Sequence, residues 1–255
     1  MAHAEATHDP DAPEVYFQFE DIDQQQETYV VGMWLFLMQE IMFFGGLFLM
    51  YVVYRSKYQA DWYHYHEQLD WRMGAVNTTI LLLSSVFAAF AVHFSQRRKT
   101  KLELTFLALV IMCAFGFLGV KTLEYGTKFE HHMFPNHSFV YGQKEGESES
   151  AVAEQPGPFE SGAEKLVGFI PRHRPAEEGN PEKARLFYSL YFAMTGLHGL
   201  HVIIGIGCFA ALMILIKRKS SLITDYIPTE MLCLYWHFVD LVWIFLYPLF
   251  YLIPK

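Results

Sequence analysis

The sequence has few cysteines and few charged side chains, and both shortages exclude whole classes of protein. Its three cysteines, Cys113, Cys208 and Cys233, each lie inside an apolar run without C-x-x-C spacing, which argues against a disulfide framework and against a zinc site. Charged residues make up only 18% of the 255 residues and hydrophobic residues 53%, which is too apolar for an ordinary soluble protein. These proportions indicate a membrane protein.

The sequence also lacks clustered lysine and arginine residues of the kind that bind nucleic acid, and it lacks the common catalytic motifs. The net charge is -8, and no stripe of lysine and arginine is present to neutralise phosphates, so nucleic acid is not expected as a partner. Phosphate-binding loops, serine-hydrolase elbows and zinc-binding HExxH helices are absent. No catalytic residue, cofactor site or metal site is therefore predicted in this chain.

The N-terminal residues lack the features of a targeting peptide. Residues 1–28 are polar and acidic, contain no lysine or arginine and have no apolar core. We expect neither a secretory signal nor a transit peptide there. The first helix should therefore direct insertion into the membrane itself.

What the sequence does contain is five long apolar segments. A bilayer core of about 30 Å requires roughly 20 apolar residues of helix. The segments are too long for barrel strands and lack their polar alternation, so the predicted fold class is all-α, a polytopic bundle of five transmembrane helices. The predicted spans are Tyr29–Tyr54, Gly74–Ser95, Leu102–Tyr125, Leu186–Ile216 and Thr229–Ile253.

The same pattern divides the chain into four regions. An acidic polar tail covers 1–28, the first three helices lie within 29–126, a long polar loop covers 127–185, and the last two helices lie within 186–255. The loop is rich in glutamate, proline, glycine and serine and shows no periodicity, so it cannot bury a core of its own. We expect it to lie over a neighbouring protein or to be partly mobile.

Positive charge near the helix ends predicts the orientation. Two short loops, at 97–101 and 217–219, are rich in lysine and arginine and fall on the same side of a five-helix bundle. Positive charge prefers the cytoplasmic side, which predicts a cytoplasmic N-terminus and a periplasmic C-terminus and long loop. Arg55 and Lys57, which follow the first helix, favour the opposite orientation, but the two dense basic loops outweigh them.

A few ionisable residues lie inside the predicted spans. Glu40 lies near the middle of the first helix, His198 and His201 near the middle of the fourth, and His237 and Asp240 near the middle of the fifth. A charged side chain at this depth costs about 2.5–3.5 kcal/mol, so each requires a partner or a neutral form. The simplest prediction is a packed polar layer among the first, fourth and fifth helices. Glu40 is either protonated, partnered across helices, or linked to a lipid head group or a proton path.

Metal binding by the histidines is the less favoured interpretation. His198 and His201 lack an identifiable second set of ligands, so hydrogen-bonded packing is favoured over haem or metal ligation. The loop histidines His131, His132 and His137 have no cysteine or carboxylate at ligand spacing. No metal site is predicted at either place.

A second polar pair is predicted near the outer surface. Asn77 at the start of the second helix and Glu124 at the end of the third fall at similar depth and are expected to meet. Lys121 precedes Glu124 by three residues on the same helix and is expected to pair with it, with its ammonium group extending outward. Residue patterns alone leave three classes open: an accessory subunit, a transporter and a scaffold.

The motif order adds a family resemblance. TGLHGLHVIIG in the fourth helix, followed by Glu230 and YWHFVDLVWIFLY in the fifth, resembles the signature of cytochrome c oxidase subunit III. GMWLFLMQEIMFF resembles that family's helix with the buried glutamate, AVNTTILLLSS its asparagine-threonine helix, and LEYG the end of the next. The resemblance covers all five helices. Mitochondrial members have seven, so this chain is similar to the five-helix bacterial form, and the long loop exceeds the connection typical of the family.

The resemblance implies a non-catalytic subunit of a proton-pumping oxidase that reduces dioxygen to water. Haem and copper would belong to partner subunits I and II, in the inner membrane of a bacterium. Glu40 matches the buried carboxyl of a lipid-lined cleft beside a dioxygen route; the other residues matching intramembrane polar positions of the family are His198, His201, Glu230, His237 and Asp240. Members are thought to bind phospholipid, support proton uptake and protect the catalytic subunit.

Several alternatives remain. Within the family, the chain could serve a quinol oxidase, or accompany a nitric oxide reductase, rather than a cytochrome c oxidase. A cytochrome or another respiratory complex is a candidate partner for the 127–185 loop. Outside the family, a stand-alone proton-coupled carrier using Glu40 and Asp240 would require an alternating-access site and ideally inverted repeats, and neither is visible in the sequence.

Overall fold

The computed structural model describes residues 15, 17–59, 62, 65, 66, 69–130, 181–218 and 225–252. Within these ranges every regular element is a helix, so the predicted all-α class is confirmed. All five helices are long and apolar enough to cross a membrane. They are α1 (Ile22–Lys57), α2 (Trp71–Gln96), α3 (Thr100–Glu130), α4 (Pro181–Lys217) and α5 (Ile227–Tyr251).

Several helices extend beyond the predicted apolar spans. α1 begins at Ile22 rather than Tyr29, because the Asp21 carboxylate accepts a hydrogen bond from the Gln24 amide at 2.7 Å and caps the helix. α3 continues to Glu130, and α4 begins at Pro181, a position where the missing amide proton is tolerated. Residues 22–28, 127–130 and 181–185 are therefore helical, although the sequence placed them in the tail and the long loop. The rest of that loop, 131–180, lies outside the described residues.

The chain reverses direction tightly between α2 and α3. Arg98 adopts a left-handed conformation with φ 53°, and the Lys99 amide donates to the Phe94 carbonyl at 3.0 Å. This arrangement closes the C-terminus of α2 in the way a glycine usually does. We call this side of the bundle the basic end and the opposite side, where α1 connects to α2, the His66 end.

α5 is the central helix of the bundle. It packs against α2, α4 and α1. Half of the residues in its membrane-spanning segment are buried, compared with 17% for α1. Two glycines allow close approach to its large side chains. A methyl group at Gly205 would lie 2.7 Å from the Trp236 ring, and one at Gly74 would lie 2.6 Å from the Tyr247 ring. α2 also packs along α3, and α3 packs along α4. α1 makes substantial contacts only with α4 and α5.

Two side chains close the C-terminus of α5 at the His66 end. His66 Nδ1 donates to the Phe250 carbonyl at 2.9 Å, and the Tyr51 hydroxyl donates to the Leu249 carbonyl at 2.8 Å. The Tyr51 hydroxyl also lies 2.8 Å from Nε2 of His66. The last carbonyls of a helix have no partner within it, so these bonds satisfy groups that burial would otherwise leave unpaired. They also attach the α1–α2 connection to α5.

Burial lowers the pKa of His66 to about 4, from an ordinary value of 6.5. The hydrogen bond to the Phe250 carbonyl raises this pKa, and the nearby charge of Arg55 lowers it, but burial has the larger effect. The imidazole is therefore neutral near pH 7.

Candidate functional site

An apolar groove opens between α1, α4 and α5 at the level of Glu40. It has a volume of about 540 Å³, and its lining is mostly hydrophobic. Residues that line it include Met33, Phe36, Glu40, His201, Cys208 and Tyr235. The groove arises because α1 stands apart from α2 and α3 and touches only part of the α4–α5 surface. We call it the Glu40 groove.

Glu40 and His201 form a polar pair at the wall of this groove. Oε2 of Glu40 lies 3.1 Å from Nε2 of His201, and each side chain is only 13% exposed. His201 Nδ1 donates to the Leu197 carbonyl at 2.8 Å, so Nε2 is the nitrogen that shares a proton with Glu40. Whether that proton lies on oxygen or on nitrogen, the pair carries no net charge, which makes it tolerable in a lipid environment.

The neighbours of His201 hold its ring in place. Its backbone carbonyl accepts a hydrogen bond from the Tyr235 hydroxyl at 3.0 Å, and its ring meets Phe44 edge to face at 5.2 Å. Residues from α1, α4 and α5 therefore fix one orientation of the imidazole. The arrangement can hold or pass one proton at the edge of an apolar groove.

The other mid-span residues do not join this pair. His237 Nδ1 lies 2.7 Å from the Ser85 hydroxyl on α2. Asp240 is 3% exposed and interacts with the Ser85 hydroxyl on α2. His198 is 1% exposed, and neither ring nitrogen has a hydrogen-bond partner. The sequence predicted one polar layer among the first, fourth and fifth helices. The structure brings together only Glu40 and His201 of that layer, and His237 contacts α2.

The predicted outer pair is also arranged differently. The amide of Asn77 is fully buried and has no hydrogen-bond partner, so it does not bond to Glu124. Lys121 does pair with Glu124, with Nζ 2.8 Å from Oε2. Its ammonium group is buried rather than extended toward the surface, because it also donates to the Tyr251 hydroxyl at 2.8 Å.

Glu124 is the centre of a larger cluster, which we call the Glu124 cluster: Lys121, Glu124, Lys128, Tyr191 and Tyr251. Lys128 Nζ lies 2.8 Å from Oε1 of Glu124, which also accepts from the Tyr191 hydroxyl at 2.6 Å and the Tyr251 hydroxyl at 2.5 Å. All five side chains are buried. Sequence reasoning missed Lys128 and both tyrosines, although Lys121, Glu124 and Lys128 share one helix face at spacings of three and four.

The basic end contains a buried carboxylate that the sequence did not single out. Glu103 is 6% exposed, and its Oε1 accepts a hydrogen bond from the Thr229 hydroxyl at 2.8 Å. Glu230, the next residue along α5, is partly exposed in the first helical turn. Gln26 Nε2 on α1 donates to the Asp225 carboxylate at 2.6 Å, which ties the start of α1 to the α4–α5 connection.

No group of three metal-binding side chains converges among the described residues. Cys113, Cys208 and Cys233 are free thiols. The loop histidines His131, His132 and His137 lie outside the described residues.

Comparison with known proteins gives a consistent result. The family model for cytochrome c oxidase subunit III matches residues 183–254. The chain is 30% identical over 233 residues to the cytochrome bo(3) ubiquinol oxidase subunit 3 of Pseudomonas putida, covering 91% of this chain and 88% of that protein. It is 26% identical to the quinol oxidase subunit 3 of Bacillus subtilis, covering 91% of each chain. It is 28% identical to the cytochrome c oxidase subunit 3 of Corynebacterium diphtheriae, covering 88% of this chain and 87% of that protein.

Proposed function

Because this chain belongs to the haem-copper oxidase subunit III family, we propose that it is the non-catalytic third subunit of a proton-pumping cytochrome c oxidase. Partner subunits I and II would hold the haems and coppers and reduce dioxygen to water. The complex would lie in the inner membrane of a bacterium, with the basic end toward the cytoplasm.

The Glu40 groove is the observation that carries the proposed role of this chain. It is apolar, faces outward from the bundle and has a neutral polar pair in its wall. Such a surface suits the acyl chains of phospholipids, which require apolar contact along their length and tolerate a polar group without net charge. A groove filled by lipid would also give dioxygen, an apolar molecule, a route toward the catalytic subunit.

Purification through a tag on this chain tests the assignment. In mild detergent, the chain should bring partner subunits with haem spectra, copper and oxygen consumption. A colourless, solitary five-helix protein from cells that express their respiratory chain would contradict the oxidase assignment and favour the carrier hypothesis.

The role of the groove is tested by Glu40→Gln in the purified complex. We expect the initial turnover rate to stay close to that of the parent and the number of turnovers before inactivation to fall, because glutamine cannot share the proton with His201. Glu27→Gln is the matched control, since Glu27 lies on the same helix but is exposed and outside the groove. If both variants and the parent complete the same number of turnovers before inactivation, a role for Glu40 is refuted.

A quinol oxidase is the second candidate. Its support is that the relatives include the ubiquinol oxidase subunit at 30% identity and the quinol oxidase subunit at 26%. The electron donor binds to other subunits, so the purified complex distinguishes the two. Copper in excess of one atom for each two haems, together with oxidation of cytochrome c, would favour cytochrome c as the donor; oxidation of quinol alone would favour the alternative.

A further inference from the structure

Trp243 on α5 is surrounded by polar groups that the proposed role does not use. The ring of His198 lies 5.2 Å from the Trp243 ring, and Nζ of Lys121 lies 4.6 Å from its centroid. Trp243 Nε1 donates to the Thr78 hydroxyl at 3.1 Å, which places the neighbouring Asn77 at the same level of α2. Side chains from α2, α3, α4 and α5 therefore meet around one buried indole.

Several polar atoms in this region have no protein partner. Both ring nitrogens of His198 and both polar atoms of the Asn77 side chain are buried and have no hydrogen-bond partner. Asp240 lies one helical turn before Trp243. A buried polar group without a hydrogen bond costs about 1–3 kcal/mol, and proteins usually satisfy such groups with ordered water. Groups of this kind on both α2 and α4 point to bound water molecules rather than to a single packing defect.

From the region around Trp243, hydrogen-bonded polar groups continue toward the His66 end. Lys121 reaches this region from the Glu124 cluster, in which successive groups are joined by hydrogen bonds. The cluster extends along α3 to Lys128, which lies past the apolar span that ends at Gly126. Every member of the cluster can donate a hydrogen bond, accept one, or do both.

The same region connects to the Glu40 groove on its other side. His198 and His201 are three residues apart on α4, so their Cβ atoms are neighbours on the helix surface, and a bound water molecule between the two rings would complete the connection. His201 in turn shares a proton with Glu40. Titratable groups therefore follow one another from the middle of the membrane to one end of the bundle.

We propose that water molecules bind around Trp243 and complete a proton relay between the Glu40–His201 pair and the Glu124 cluster. A proton that enters at the Lys128 end displaces another from each group in turn, so that each group gains one proton, releases one and keeps its charge. The last proton fills the position between Nε2 of His201 and Oε2 of Glu40 after the pair has released the proton it shares, because Nδ1 of His201 is occupied by the Leu197 carbonyl. Release of that proton runs through the same groups in reverse. The relay goes beyond the proposed oxidase role and can be tested without turnover.

Groups from all five helices face this relay. They are Glu40 from α1, Asn77 and Thr78 from α2, Lys121, Glu124 and Lys128 from α3, Tyr191, His198 and His201 from α4, and Asp240 and Tyr251 from α5.

Bound water is tested by hydroxyl-radical footprinting of the intact complex with short X-ray pulses, which oxidise side chains next to water. Trp243 and Trp236 are matched because both have 0% exposure, but Trp236 Nε1 bonds to Ser84 and its ring packs against Phe209, whereas the Trp243 ring packs against His198. We expect Trp243 to be oxidised at least about threefold faster than Trp236. Equal rates would show that the region is dry and would overturn the proposal.

Proton access is tested in sealed vesicles that contain the complex in one orientation. A hydrophobic carbodiimide reacts with a carboxyl group only in its acid form, so the rate at which it modifies Glu40 would report the protonation of Glu40 while the pH of each side is varied separately. The protonation of Glu40 follows the pH of the solution with which it exchanges protons faster. We therefore expect the rate of modification to depend on the pH at the His66 end, by up to about tenfold for each pH unit.

His198→Phe should abolish this dependence, since phenylalanine fits between Phe117 and Trp243 but cannot pass a proton. His237→Phe is the matched control, because His237 bonds to Ser85 and should leave the dependence unchanged. A rate that follows the pH at the basic end, or that keeps its dependence in His198→Phe, would overturn the relay.

Discussion

Glu124→Gln should lower the free energy of unfolding by about 3–5 kcal/mol, because it leaves two buried ammonium groups without their carboxylate. Lys121 and Lys128 each lie 2.8 Å from Glu124, on opposite oxygens, and their side chains are 8% exposed. Glutamine keeps the size and one acceptor oxygen of Glu124 but carries no charge. The lysines then have to lose their protons or draw water into the cluster.

The tyrosines of the cluster give a graded comparison. A hydrogen bond to a charged group contributes about 1.5–3 kcal/mol, so Tyr191→Phe, which removes a 2.6 Å bond to Glu124, should cost that amount. Tyr247→Phe is the matched control, since the Tyr247 hydroxyl lies 3.4 Å from the Trp71 carbonyl and is exposed to the surroundings. It should change the free energy of unfolding by less than about 0.5 kcal/mol.

Unfolding of the purified complex in lipid nanodiscs, followed by tryptophan fluorescence, measures these differences. A loss below about 1 kcal/mol in Glu124→Gln would refute the idea that the carboxylate offsets two buried charges. Methionine at both Lys121 and Lys128 should reduce the cost of Glu124→Gln, because no buried cation then remains unpaired. An unchanged cost in that background would also contradict the explanation.

Two further predictions concern His66 and the α4–α5 contact. The pKa of His66 is about 4 in the folded protein and 6.5 in the unfolded chain, so the unfolded chain binds the proton more readily. The contribution of His66 to the free energy of unfolding is therefore complete above pH 6.5. It falls by up to about 1.4 kcal/mol for each pH unit as the pH drops toward 4. His66→Phe should flatten this part of a plot of unfolding free energy against pH, and an unaltered slope would assign it to other groups. Gly205→Ala should destabilise by about 1–3 kcal/mol because the added methyl group meets Trp236, whereas Gly207→Ala, with open space around it, should change melting by less than about 0.5 kcal/mol. Equal melting temperatures of the two variants would show that α4 and α5 can move apart to accept the methyl group without a loss of stability.

The Glu40–His201 pair shows how far residue patterns reach into the site. The sequence located both residues at mid-depth, because their distance from the ends of an apolar span is a local property. It did not determine that His201 meets Glu40 while His198 faces Trp243. That choice depends on the rotation of α4 about its own axis, which is set by packing against α1 and α5.

The Glu124 cluster shows a different limit. Lys121 and Glu124 are close on one helix, so their pairing follows from helical spacing alone. The burial of Lys121 depends on Tyr251, which is distant in sequence and approaches only once α5 packs beside α3 and α4. Asn77 illustrates the reverse case, because equal depth along two helices did not bring it to Glu124.

By itself the sequence determined the all-α class, five membrane-spanning helices and the depth of the polar residues, because hydropathy summed along one segment decides whether that segment enters a bilayer. Only the tertiary structure decided which polar groups meet, which remain unpaired around Trp243 and where the helices end beyond the apolar spans. Those outcomes depend on the rotation, contact and capping of helices, which involve residues far apart in the chain.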